Sequence, residues 1–315
     1  MVAHDVLTYL CAESVGFSVK PVRITPYTYS EMDRSPYNRE YSIEMREGKA
    51  PAVTAEDPEY DENEYYTPFV LYEKPQAGKV SAIQVLALYS GEPDWGMDNG
   101  ISLSPVQSLM GGSQGYRHLK YGLFFLRAGK ALERALHFDR LSRAAFDRGD
   151  QYWGIRFAAR AIHYMEDLLT PFHTKPFPEL LLLRKLFDLR GLYFLTYNYH
   201  MNFERFTGYG LWHGNRDFID PVRDAKVSAL SHLHSDLQKA WRSMRNLFYS
   251  LFRECGALWR EGMSEGPVKL KEEEVARINP SGRLHCGIRK WLGCAASVVK
   301  GYIAHSLIPR MQQQP

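Results

Sequence analysis

From about residue 119 to residue 262 the chain reads almost entirely as helix, and that run limits the architectures open to it. Apolar residues recur at three- and four-residue spacing, and few stretches alternate convincingly as strands. Candidate helices span 119–137, 138–148, 151–169, 178–207 and, with breaks, 222–262. Residues 4–17 read as another helix, because Val6, Leu7, Leu10 and Cys11 fall near a 3.6-residue period and Gly16 would stop it. Residues 80–89 look like a short one. The expected fold class is all-α, a multi-helix bundle with long loop insertions.

The insertions differ in character from the helices. Residues 20–80 are rich in Pro, Tyr and acid and show no sustained apolar period, so they read as a long irregular insertion. "SGEPDWGMDNGISLSP" and "MGGSQGYRH" are marked as loops by Gly, Pro, Asp and Asn. At 315 residues, 45% apolar and 24% charged, the composition suits one large core or two domains. A net charge of +3 is too small to argue a nucleic-acid partner. Cys11, Cys255, Cys286 and Cys294 offer no CxxC spacing, so neither a Cys-type zinc site nor a disulfide scaffold is expected.

The N-terminal "MVAHDVLTYLCAESVGF" lacks a basic leader region, and no stretch reaches the roughly 18 uninterrupted apolar residues of a membrane span. The chain as written reads as cytoplasmic or peripheral to a membrane, and as secreted if a leader has been removed. From Ser281 onward there are five Lys or Arg and no acid, while Leu292, Ala295, Val299, Ile303 and Leu307 recur at helical spacing. This basic amphipathic helix either packs on the rest of the protein or makes peripheral contact with anionic lipid; Lys300 and His305 speak against a span. The expected division is a catalytic unit over 1–262, carrying the 20–80 insertion, followed by a linker and this helix over 263–315.

Candidate chemistry concentrates in "AIHYMEDLLTPFH". His163 and Asp167 are an i,i+4 pair on one helix face, and Pro171 stops the helix and brings His173 back toward the same region. His200 and Glu204 in "NYHMNFE" repeat the spacing on the next long helix. Each pair alone is usually a surface pair. Two pairs on consecutive apolar helices instead suggest an inward-facing metal site, for which imidazole and carboxylate are the zinc donors when no thiolate is offered. His232 and His234, two residues apart, face different sides of a helix.

"HYMEDLLTPFH" resembles the H-Y-x-x-D-x-x-x-P-x-H signature of the zinc-dependent phospholipase C family, the bacterial lecithinase and alpha-toxin type, which is related to the S1/P1 nucleases. "HMNFE" resembles that family's following H-x-x-x-E, and Glu204, where the nucleases usually carry Asp, leans toward the phospholipase branch. The resemblance implies three upstream ligands, which match Asp94 in "EPDWGMD", His118 in "GGSQGYRH" and His4 in "VAHDVLTYL"; Asp98 competes with Asp94. It further implies two to three zinc ions. One would be held by Asp94, His118, His163 and Asp167, a second by His173, His200 and Glu204, and a third by His4 and a bridging Asp167. The family completes the third site with an N-terminal Trp, and this chain has none before His4.

By the same resemblance the expected activity is phosphodiester hydrolysis. Its most specific form is phospholipase C-type release of diacylglycerol and a phosphorylated headgroup, with Asp94 as ligand and general base. The alternatives are an S1/P1-like nuclease or phosphatase of the same fold, and a zinc-binding membrane-surface protein without catalysis. A phospholipid or other phosphodiester is the expected partner. No specific nucleic acid is expected, since no dense cationic–aromatic cluster stands out, and no protein partner is indicated.

Overall fold

The computed structural model describes residues 3–29, 31–32, 77–94, 105–110, 112–185, 187–258 and 263–313. Most of the expected 20–80 insertion, over 33–76, and Asp98 lie outside the described residues. The protein is all-α, and among the described residues sheet is confined to two antiparallel ribbons.

The chain opens with α1 (His4–Ser14), β1 (Pro21–Arg23), β2 (Lys79–Ser81) and α2 (Ala82–Leu88). Helix α1 ends just before Gly16, whose φ of 67° no longer fits a helix. Pro21 pairs with Ser81 and Arg23 with Lys79, so the two ends of the insertion meet. Next come α3 (Gly112–His118), β3 (Tyr121–Leu123), β4 (Leu126–Ala128), α4 (Ala131–Asp147), α5 (Gln151–Leu169) and α6 (Pro171–Thr174). Then follow α7 (Glu179–Arg184), α8 (Leu189–Trp212), α9 (Arg216–Arg223), α10 (Leu233–Leu258), α11 (Glu272–Ala276), α12 (Gly282–Tyr302) and α13 (Ile308–Gln312).

Helix α5 is the axle. Every residue in it after Gln151 is buried, and α2, α4, α10 and α12 pack around it. A helix buried on all sides can carry its polar residues only where they are paired, and those of α5 are gathered on one face. Its start is set by Asp150, whose carboxylate caps the Trp153 amide (3.2 Å) and also accepts from Thr25 (2.7 Å) and Tyr29 (2.9 Å). Its end is set by Thr170, held extended (ψ 122°) before Pro171, which opens α6. Closest approach to α4 is at Gly154, where a Cβ would stand 2.8 Å from the Phe146 ring.

The 119–137 helix expected from the sequence is not what forms. Residues 121–128 make a hairpin, and a single α4 replaces the two helices expected over 119–148. Gly129 lies at φ 102°, and a Cβ there would collide with the Leu119 carbonyl, so the backbone at this point excludes a continuous helix. The hairpin is anchored from α10 by Trp241 Nε1 donating to the Lys120 carbonyl (2.9 Å).

Helix α8 has two polar faces with separate tasks. Asn198 and Asn202 bind the 263–270 segment through both amide groups: Asn198 donates to the Met263 and Gly266 carbonyls and accepts from the Val268 amide (all 2.7 Å). Asn202 does the same with Val268 and Leu270 (both 2.9 Å). His200 and Glu204, two residues out of step with these asparagines, turn to the opposite side. The apolar stripe of the C-terminal helix, Leu292 to Leu307, is buried, with α1, α5, α9 and α10 among the neighbours of α12. Lys300 fits there because its ammonium donates to the carbonyls of Arg223 (2.8 Å) and Ala225 (3.0 Å) at the end of α9. No described helix is long and apolar enough to cross a membrane.

Candidate metal centre

Six separate segments bring His4, Asp94, His118, His163, Asp167, His173, His200 and Glu204 together. His4 lies in the first turn of α1, Asp94 ends the 3-10 turn Glu92–Asp94, and His118 ends α3. His163 and Asp167 share one face of α5, His173 stands on α6, and His200 and Glu204 lie on α8.

Two tight groups result. In the first, His118 Nδ1, His163 Nε2 and Asp167 Oδ2 are separated by 2.9, 2.7 and 3.1 Å. Asp94 Oδ1 approaches the same point, 3.6 Å from His118 and 3.8 Å from His163. In the second, His173 Nε2 lies 2.7 Å from His200 Nε2 and 2.8 Å from Glu204 Oε1, and His200 lies 3.1 Å from Glu204. A third, looser group forms where His4 Nε2 faces Asp167 Oδ1 (3.6 Å) and Asp94 Oδ2 (3.8 Å). Asp167 joins them: Oδ2 serves the first group, while Oδ1 faces His4 and, at 3.2 Å, His173 Nδ1. Among the described residues the trios that gather closely enough to hold a metal are His118, His163 and Asp167; His173, His200 and Glu204; and His4, Asp94 and His163.

The donor spacing fits a metal. Ligands at zinc distances in a tetrahedron lie about 3.3 Å apart, and the two tight groups come within several tenths of an ångström of that. His163 Nδ1 lies 2.7 Å from the Ser90 carbonyl, which only accepts, so Nδ1 carries the proton and Nε2 offers its lone pair to the group. His4 Nδ1 is engaged by Glu166 (2.6 Å), which leaves Nε2 buried, without a hydrogen-bond partner and facing two carboxylates.

Electrostatics point the same way. Burial alone would raise the carboxyl pKa of Asp167 and Glu204. Instead the positive charge gathered around them, with the imidazoles of His163, His173 and His118 for Asp167 and of His200 and His173 for Glu204 as further contributors, holds both well below the usual range. Burial, above all, lowers His4, which keeps its ring neutral and able to ligate.

A supporting layer escapes the sequence reading. Glu166 takes His4 on one oxygen and the Thr8 hydroxyl on the other (3.0 Å). Glu92, fully buried, clamps Arg156 (2.6 and 3.2 Å) and Arg160 (2.8 and 2.9 Å), both on α5. Their charges hold the Glu92 carboxyl low although burial opposes them. The clamp fixes the turn that carries Asp94 and lies beside the Ser90 carbonyl. A signal for it exists: Arg156, Arg160, His163 and Asp167 follow a 4-3-4 spacing, one continuous helix face.

Asp94, His118 and all of the second group line a cavity of about 670 Å³, while His163 and Asp167 are fully buried. Met110, Leu119 and Tyr121 form one wall, and Phe177, Leu189, Leu192, Tyr193 and Tyr197 another. Asp94, with 43% of its side chain exposed, is the most open of the eight residues. Tyr164 stacks on Phe138 (5.7 Å, 7°) and Tyr199 on Phe252 (4.5 Å, 25°), so these two are packing residues, whereas Tyr197 is on the cavity wall.

Fold and site together define an all-α protein with buried His/Asp/Glu clusters able to bind metal under an apolar cavity. No protein-family model matches the chain, and no curated protein matches it. Among solved structures, the crystal structure of Clostridium perfringens alpha-toxin from avian strain SWCP is similar at 14% identity and a TM-score of 0.33. The likeness covers 74% of this chain and 55% of that one, so the chain spans little more than half of the toxin's length. A TM-score this low does not define a shared fold, and the reading of the site rests on its own geometry.

Proposed function

We propose that the protein is a zinc-dependent phosphodiester hydrolase of the phospholipase C type, cleaving a phospholipid to diacylglycerol and a phosphorylated headgroup. The observation that carries this reading is the gathering of eight nitrogen- and oxygen-donor side chains, Asp167 among them, into neighbouring groups, with Asp94, His118, His173, His200 and Glu204 lining an apolar cavity. Asp94, His118, His163 and Asp167 would hold one zinc and His173, His200 and Glu204 a second. His4 with Asp167 and Asp94 would hold a third. Bound zinc brings the pKa of water to about 7 and offsets the charge of a phosphate undergoing in-line displacement.

The chain's own residues supply the rest. Asp94 reaches both the first and third groups and is open to the cavity, so it is placed to take the proton of the attacking water. Leu119, Phe177, Leu189 and Leu192 offer acyl chains an apolar enclosure and keep bulk water from the floor. Glu166 and Glu92 act through others, fixing His4 and the Asp94 turn.

One observation favours a second reading. Tyr193 and Tyr197 stack at 18° on the cavity wall, a surface on which a nucleobase could lie, as a nuclease of this type would need. A single preparation separates the readings: zinc counted per chain, then turnover on phosphatidylcholine, a soluble phosphodiester and single-stranded DNA. Two to three zincs with preference for phosphatidylcholine are expected. Preference for DNA would install the nuclease, and zinc without turnover would leave a non-catalytic binder. Fewer than two zincs would remove the cluster altogether.

A further inference from the structure

Two exposed apolar elements flank the cavity. The first is the turn of the β3–β4 hairpin, where Phe124, Phe125 and Leu126 are exposed, Phe125 at 88%. Tyr121, at the start of β3, lines the cavity, so this turn stands only three residues from its wall. The second is the corner between α7 and α8, which exposes Leu183, Phe187 and Leu189, Phe187 completely (101%). Leu189, Tyr193 and Tyr197, spaced four residues apart on one face of α8, both line the cavity and meet solvent, which makes them its rim. Single exposed apolar residues are ordinary; two clusters with fully presented phenylalanines beside one apolar cavity mark a contact surface.

Each cluster is set among cations. Arg127, next to the hairpin turn, lies 5.4 Å from the Trp241 ring, with Arg245 at 4.9 Å and Lys120 at 5.9 Å from the same ring. Lys120 also lies 3.9 Å from Glu133, while Arg127 donates to the Phe124 (3.3 Å) and Leu126 (3.0 Å) carbonyls and Arg245 to that of Gly122 (3.3 Å). At the second cluster Arg184 and Arg190 are exposed, while Asp188 is neutralised by Lys185 (2.8 Å) and Glu179 by Lys175.

We infer that these two elements dock the protein on an anionic lipid surface, with Phe125 and Phe187 entering the headgroup–acyl boundary and the neighbouring arginines meeting lipid phosphates. Apolar wedges ringed by arginine suit that interface, because each part gains only where hydrocarbon and negative charge lie within one side-chain length of each other. Docking in this way would turn the cavity rim toward the bilayer. The inference rests on the proposed phospholipid substrate, whose chains would pass from bilayer to cavity without crossing water.

The test uses the full chain with zinc. Partition onto phosphatidylcholine vesicles, with and without phosphatidylglycerol, is measured by sedimentation. Turnover is compared on vesicle lipid and on dihexanoyl-phosphatidylcholine held below its micelle concentration. The Phe125→Ser/Phe187→Ser variant is expected to lose roughly tenfold in partition per phenylalanine on both vesicles, with vesicle turnover falling in step and monomer turnover unchanged. Arg127→Gln/Arg184→Gln is expected to lose about fivefold per arginine on phosphatidylglycerol-containing vesicles only. Variants that partition like the wild type, or that lose monomer turnover as much as vesicle turnover, overturn the docking surface. Wild-type protein that partitions as expected but cleaves no phosphodiester keeps the surface and removes the proposed function. Monomer turnover without vesicle binding does the reverse.

Discussion

Replacing Glu92 by Gln tests the supporting layer most directly. The wild-type carboxylate makes four charge-assisted hydrogen bonds to Arg156 and Arg160, and all three side chains are at most 1% exposed. With Gln two guanidinium groups stay buried against no anion, and breaking a buried pair in this way costs about 3–5 kcal/mol. For a chain of 315 residues the unfolding entropy is about 0.7 kcal/mol/K, so the midpoint is expected to fall by about 5–8 °C. Calorimetry of the zinc-free protein reads this without interference from metal. Because the same clamp seats the Asp94 turn and the Ser90 carbonyl, zinc affinity at the first group should fall as well, read by competition with a chelator. Replacing the whole triad, Glu92→Leu with Arg156→Met and Arg160→Leu, should recover most of the midpoint, since no charge is then buried. A Glu92→Gln protein that melts within a degree of wild type and keeps its zinc would refute the reasoning.

Other consequences can be measured in parallel. Glu166→Gln should weaken zinc about 10–100-fold at the His4 group, by loosening the ring that Glu166 holds, while leaving the His173–His200–Glu204 group unchanged in a metal titration; equal loss at both would show a general effect on folding. Lys300→Met should lower stability by about 1–3 kcal/mol in urea, because the Arg223 and Ala225 carbonyls lose their donor, and an unchanged midpoint would remove Lys300 from the account of α9. Zinc added to the chelated protein at a hundred times its dissociation constant should stabilise it by about 2.7 kcal/mol per site. That gain should fade as pH falls, first as His173, raised despite its burial by Asp167 and Glu204, takes up a proton that competes with metal, and further down as His200 and His4, lowered by burial, follow; a zinc effect independent of pH would argue against imidazole ligands.

How legible these features are in the sequence depends on how local their causes are. Helix α5 is expected over 151–169 and found over Gln151–Leu169, because the cap at Asp150 and the break at Pro171 both lie within a residue or two of its ends. The hairpin at 121–128 is hidden because "YGLFFLRAG" has no alternation and what holds it arrives from Trp241 and Arg245, more than a hundred residues away. The expected 178–207 helix is found as α7, ending at Arg184, and α8, starting at Leu189, because Asp188 caps the Gly191 amide (2.9 Å), a local signal that the apolar run masks. In the site, the two i,i+4 pairs are visible as spacing alone. The convergence of His4, Asp94 and His118 on them is tertiary, and no periodicity encodes it. The buried role of Arg156 and Arg160 also stays hidden, since their partner Glu92 is 64 residues from the nearer one.

The break between α5 and α6 has a consequence for how the centre ages under stress. Asp167 and His173 belong to the two tight groups and lie six residues apart along one short stretch of chain, across Thr170 and Pro171. That short link works as a tether: the helix end, the proline turn and the buried α6 limit how far the two groups can move apart. The other ligands are delivered by remote segments, so they are the parts that drift first. As the protein is warmed, each centre should lose completeness from its outer members, His4, Asp94 and His118 on one side and His200 with Glu204 on the other. The interval between the groups itself should persist until α5 unwinds.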